Sequence, residues 1–204
     1  MISEKLQKYM LKWMLAISFV LVAGSGPYLN PTSRFFHEVL GLILFAAVLL
    51  HVTWNRRFLQ SLRKGKYGTK RKLLTGAVIL LIVTMGIILL SAPFSSRILF
   101  ASFGLPGADV GRAVHLVATA WVALFAGLHF GVHYANAGHR LLQYVVAALG
   151  VASFVHLKYW ERLFYLAPKM YVPDVPVALL YVEPMLVMAA AAVFGAAASR
   201  IAGR

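Results

Sequence analysis

The sequence predicts an all-α membrane protein of six transmembrane helices with both termini in the cytoplasm, and three observations carry that expectation. Of 204 residues, 61% are hydrophobic and 13% charged, with mean hydropathy +0.78, whereas an ordinary soluble domain is apolar over about half its length. The apolar residues gather in six runs near the ~20 residues that a helix needs to cross a bilayer. The cations gather between those runs, so a net charge of +14 points to no nucleic acid and makes the lipid bilayer the first partner. Cysteine is absent. That excludes disulfides, thiolate zinc sites, cysteine-ligated iron–sulfur clusters and c-type haem attachment, and leaves any metal to His or carboxylate.

The first run, residues 12–29, follows Lys5, Lys8 and Lys12 as a signal peptide would, but it is long for one and shows no small-residue cleavage site; it is read as a retained helix. The second run covers residues 35–54, the third 73–93 and the fourth 113–134. The fifth, residues 141–157, is short. The connection over 158–176 mixes aromatics and charges with Pro168, Pro173 and Pro176, a composition suited to an interfacial helix, and the sixth run covers 177–198. Residues 12–55 and 72–136 read as a repeat of helix, turn and histidine-bearing helix, with turns at Ser25, Gly26, Pro27 and at Ser91, Ala92, Pro93. Two such hairpins build a four-helix core. The expected domains are that core over residues 1–140 and a C-terminal helical extension over 141–204.

Orientation follows from the Lys and Arg in the loops. With the N-terminus inside and six spans, the inner segments hold 14 cations, including the run Arg56, Arg57, Arg63, Lys64, Lys66, Lys70, Arg71, Lys72, and the outer segments hold 6. This bias obeys the positive-inside rule. The basic run is a topology signal against anionic lipid, and Trp13, Trp54 and Trp160 are expected interface anchors.

Four of the seven histidines form a pattern. His37 and His51 lie 14 residues apart on the second run, His115 and His129 lie 14 apart on the fourth, and the pairs are offset by 78 residues. Fourteen helical steps bring two side chains within ~40° of one face and about 21 Å apart along the axis. Each helix therefore offers an outer imidazole, His37 or His115, and an inner one, His51 or His129. Two imidazoles at one level can fill both axial positions of a haem iron, which leaves a centre suited to electron transfer. Polar groups inside a membrane are costly and mark function, although any single histidine there also serves as an interhelical hydrogen bond. Arg34 and Arg112 stand one turn before the outer histidines, where they could pair with haem propionates or act as ordinary span-end cations; Arg56 and Arg57 stand just past His51 with the same choice. Gly41, Gly127 and Gly131 lie near the histidines, and Gly24, Gly26, Gly76 and Gly86 on the neighbouring runs, where a macrocycle or another helix could approach. His133 shares the ligand face and is the alternative to His129 for the inner iron; the repeated spacing favours His129. His139 reads as a solvated loop residue. His156 is either a quinone headgroup partner or a snorkelled residue, and Glu38 reads first as an interfacial carboxylate, with proton movement or a bond to a neighbouring group as the alternatives.

The segments HEVLGLILFAAVLLHVTWN (residues 37–55) and HLVATAWVALFAGLHFGVHYAN (residues 115–136) resemble the paired histidine helices of bacterial membrane b-type cytochromes. The likeness over about residues 9–136 is to the flavinylation-associated cytochromes, a former domain of unknown function that shares its four-helix core with the ferric reductase-like transmembrane superfamily. The resemblance implies two b haems ligated at His37, His51, His115 and His129, the bacterial cytoplasmic membrane, and electron passage towards flavoproteins outside the cytoplasm. Unlike full ferric reductases, the chain carries no dinucleotide fingerprint. Its redox partner is then expected to be a quinol (menaquinol or ubiquinol), an extracytoplasmic flavoprotein or a membrane reductase complex.

The expected function is a dihaem cytochrome b relaying electrons between a quinol or cytoplasmic reductase and an extracytoplasmic acceptor, with substrate chemistry left to partners. The alternative is a haem-containing anchor of a larger respiratory complex without activity of its own. A histidine-based transporter of metal ions or protons ranks third, because no intramembrane carboxylate matches those histidines.

Overall fold

The computed structural model describes residues 4–25, 31–62, 64–134, 139–166, 174 and 176–203. Gly26 and Pro27 of the first expected turn, Arg63, Asn136, Pro168, Lys169, Pro173 and Arg204 lie outside the described residues. Runs rich in Leu, Ala, Ile and Val meet their backbone hydrogen bonds internally as helices, the one open structure an apolar medium allows. The helices are α1 (Glu4–Ser25), α2 (Pro31–Trp54), α3 (Arg56–Ser61), α4 (Thr69–Ser95), α5 (Ala108–His133), α6 (Arg140–His156), α7 (Tyr159–Phe164) and α8 (Val177–Ala202). A 3-10 turn, Ala101–Phe103, precedes α5. Among the described residues there is no strand.

Among the described residues four stretches are long and apolar enough to cross a membrane: Thr32–Trp54, Thr69–Ser95, Ala108–His133 and Tyr181–Ala202. The apolar parts of α1 and α6, Tyr9–Ala23 and Arg140–His156, are shorter. Six runs, the first four clearest and the fifth short, were the expectation; among the described residues four long apolar helices, with shorter apolar stretches in α1 and α6, are the finding. α1 itself covers 22 residues, Glu4–Ser25, and Trp13 lies inside it rather than at an end. The turn expected at Ser91, Ala92 and Pro93 is instead helical, since α4 continues to Ser95 with Pro93 inside it. Pro93 lacks an N–H and costs one helical hydrogen bond, a small loss in the last turn. The basic run, read as a loop, contains α3, and Arg71 lies 4.2 Å over the Tyr67 ring.

The chain divides into two compact units. The first takes its described residues from 1–66 and 96–102. In it α1 and α2 pair as a hairpin, with Leu11, Leu44 and Ala47 buried.

The second unit takes in 67–95 and 103–204. Here α4 pairs with α5, and α8 packs on both α5 and α6, so the helices expected as an addition share a core with α5. Close approach explains the glycines. A Cβ on Gly127 or Gly131 of α5 would fall on the carbonyl oxygen of Met188 or Ala192 in α8, and one on Gly150 of α6 on that of Leu186. Small residues at such crossings let the backbones touch where no hydrophobic effect drives helices together. Of the two visitors expected at Gly127 and Gly131, the structure places a helix there.

α6 ends early because Lys158 adopts a left-handed conformation, φ 46°, and turns the chain back into α7. Leu157, 1% exposed, forms a cluster with Ala120, Tyr159, Leu163 and Val187. The Tyr159 hydroxyl donates to the Ala120 carbonyl at 3.1 Å, and Trp121 Nε1 donates to the Leu163 carbonyl at 3.0 Å. Burial pushes the Tyr159 hydroxyl up to about 12, so it keeps its proton and remains a donor. α7 is thus the extra helix expected between the fifth and sixth runs, and it is bonded to the middle of α5.

Candidate functional site

The histidine pattern begins in the first unit. Proline at the start of α2 sets the helix going, and His37 lies two turns in. Its Nδ1 is 3.1 Å from the Val22 carbonyl of α1. A carbonyl can only accept, so Nδ1 carries the proton and Nε2 keeps the lone pair. Seven residues on, Leu44 is buried, and seven further stands His51 in the last turn of α2. Asn55 closes that end: its Nδ2 donates to the His51 carbonyl at 2.7 Å. Arg34 lies in the first turn of α2 and is part-buried.

The second unit repeats the arrangement. Ser91 of α4 is buried and donates its hydroxyl to the Ile88 carbonyl at 3.1 Å. Its oxygen lies 3.3 Å from His115 Nδ1; with the hydroxyl proton on Ile88 it accepts from Nδ1–H, which leaves the lone pair of His115 on Nε2. Steps of seven from Ser91 reach Thr84 and Ala77, both buried; steps of seven from His115 reach Val122, buried, and His129. In an antiparallel pair whose register is set by Ser91 on His115 and Phe94 on Gly111, small residues of α4 stand opposite both histidines of α5. Such seven-residue steps are the seam of two helices packed at a shallow angle. Arg112 is exposed in the first turn of α5.

His129 and His133 come together, ring centroids 4.8 Å apart and edge to face. His133 is exposed and His129 part-buried. His139 is exposed just before α6.

Sequence reasoning missed Ser91, which read as a turn residue, and it underrated Glu38. The Glu38 carboxylate accepts from the Ser96 hydroxyl at 2.7 Å and from the backbone N–H groups of Arg97 at 3.0 Å and Leu99 at 2.8 Å. It locks the segment 96–102 within the first unit. Glu38→Gln replaces one acceptor oxygen by a donor, leaves an N–H or hydroxyl unmatched, and is expected to cost about 1–3 kcal/mol. Faster tryptic cleavage after Arg97 in the folded protein reads this out; unchanged cleavage would mean that the turn is held by other contacts.

No family model, curated protein or solved structure matches the chain.

Chemically, a histidine whose Nδ1–H is held by an acceptor presents Nε2 in a set orientation, the usual state of a metal-ligating imidazole. Imidazole without carboxylate is a donor set that haem iron accepts, and each of these histidines could supply one such ligand.

Proposed function

We propose that the chain is a dihaem b-type cytochrome relaying electrons across the membrane, between a quinol or cytoplasmic reductase and an extracytoplasmic acceptor such as a flavoprotein. One observation carries the reading. His37 and His115, equivalent positions of the two hairpins, each anchor Nδ1 on the helix before them, at Val22 and at Ser91. Recurrence in two separately packed units is what ligand orientation requires, whereas packing histidines need no common tautomer. His37 and His115 serve the outer iron and His51 and His129 the inner one, with His133 as the alternative inner ligand. Haem held by two imidazoles supplies one-electron transfer with both axial positions filled. The chain's own residues orient the imidazoles, while Leu44 and Val122 keep the levels apolar between each pair. Arg34 and Arg112 offer guanidinium groups to propionates. The proposed setting is the bacterial cytoplasmic membrane with both termini inside.

A reduced-minus-oxidised spectrum of the purified protein, with haem quantified per chain, tests the reading. Two b haems per chain are expected. Protein made with ample haem that carries none would overturn it.

Ser91→Ala removes the acceptor of His115 Nδ1–H and is expected to weaken retention of one haem roughly 10–100-fold, measured as haem loss to a scavenger. Thr84→Ala, whose hydroxyl bonds carbonyls of α4 itself, serves as the control with unchanged retention.

A further inference from the structure

Outside the histidine pattern, α6, α7 and α8 bring three ionisable groups together. His156 Nδ1 lies 2.8 Å from Glu183 Oε1, with the imidazole 44% exposed and the carboxylate 12%. The other oxygen, Oε2, is buried and meets no hydrogen-bond donor among the described residues. Arg162 of α7 adds its positive charge to Glu183 and is itself near Tyr159. Pro184 follows Glu183 within α8 and has no N–H for the Leu180 carbonyl, which adds an acceptor at this level. Glu183 stands in the second turn of α8, Val177–Ala202.

A carboxylate that takes Nδ1–H from a neutral imidazole orients the ring and makes Nε2 the better acceptor, the arrangement of a general base and its positioning group. Here the ring is the exposed member. It closes an apolar strip of Ala147, Ala148, Val151, Ala152 and Val155 along α6. A ligand for this strip must be apolar along its length and end in a hydroxyl that donates to imidazole. The phosphate and ester oxygens of phospholipids cannot supply that donor, and the ammonium or glycerol hydroxyl that some carry sits on a charged headgroup. An isoprenoid hydroquinone has both parts, a tail for the strip and a phenolic O–H for Nε2.

We propose that His156 and Glu183 form the headgroup end of a quinol-binding site that opens to the bilayer along α6. His156 accepts the hydroxyl hydrogen bond, Glu183 positions His156, and Arg162 offsets the charge of Glu183. Binding stands on this geometry alone; what bound quinol donates to rests on the electron-relay reading.

The test uses the full chain in detergent with a decyl-tailed benzoquinone, whose binding quenches the fluorescence of nearby Trp160, and its quinol as reductant. Saturable quenching is expected, weakened at least tenfold by His156→Leu. Ala152→Phe, which fills the strip one turn before His156 on an exposed position, is expected to weaken it similarly with the His156–Glu183 pair intact. Glu183→Gln keeps a hydrogen-bond acceptor for the ring and is expected to lose less. Haem reduction by the quinol should fall with quenching in each variant, while dithionite reduces all of them fully. Equal quenching in wild type, His156→Leu and Ala152→Phe would overturn the proposal even if both haems are present. Quenching that depends on His156 in a chain without haem would uphold this site and sink the relay reading.

Discussion

His115→Ala is expected to lower the haem content from two per chain to one, and His51→Ala to do the same by removing the other haem. A b haem is held by its two axial bonds and by burial, so loss of one imidazole leaves an iron with a vacant position and weak retention. His115→Ala also strips Ser91 Oγ of its Nδ1–H donor. That loss is of the order of 1 kcal/mol, and retention of the remaining haem is the check that the variant is folded. His129→Ala should behave differently. His133 lies beside it at 4.8 Å between rings and can take over as ligand, so partial retention is expected there and full loss in the double variant with His133→Ala. The readout is haem per chain together with the difference spectrum. Two haems in both His115→Ala and His51→Ala would remove these histidines from ligation.

Gly131→Ala is expected to destabilise the second unit by about 1–3 kcal/mol or more, the cost of overpacking a close interface, and Gly127→Ala by a similar amount. The added methyl falls on a backbone carbonyl oxygen of α8, Ala192 for Gly131 and Met188 for Gly127. Backbone cannot rotate aside as a flexible side chain can, so α5 and α8 must part. From the other side, Gly195 of α8 meets the Leu128 carbonyl, and the separation would cost that contact too. Gly76→Ala is the contrast, because no described atom lies within 4 Å of a Cβ there. Alanine is the better helix former by about 1 kcal/mol, so this change should be neutral or stabilising. Thermal unfolding in detergent compares the three; equal midpoints would mean that α5 and α8 are not in backbone contact.

Hydropathy made the membrane helices legible because span length and apolar content are properties of a continuous stretch. The histidine spacing was legible because a helix turns at a constant rate, so residues 14 apart share a face whatever surrounds them. Pro93 misled, since a proline near a Ser and an Ala reads locally as a turn, yet the last turn of a helix bears the loss of one hydrogen bond. Ser91 was hidden for a related reason: its importance lies in a partner 24 residues away, and nothing local marks it. Gly127 and Gly131 lay open to two readings until α8 was placed against them.

By itself the sequence determined the helical class, the long apolar stretches and the common face of each histidine pair, all consequences of local periodicity and solvent transfer. Only the tertiary structure decided that His37 and His115 present Nδ1 to Val22 and Ser91, that α7 is bonded to the middle of α5, and that His156 meets Glu183 across 27 residues of chain. These depend on the register between helices. Register is set by which small and large residues interlock along both partners at once, information that no single segment contains.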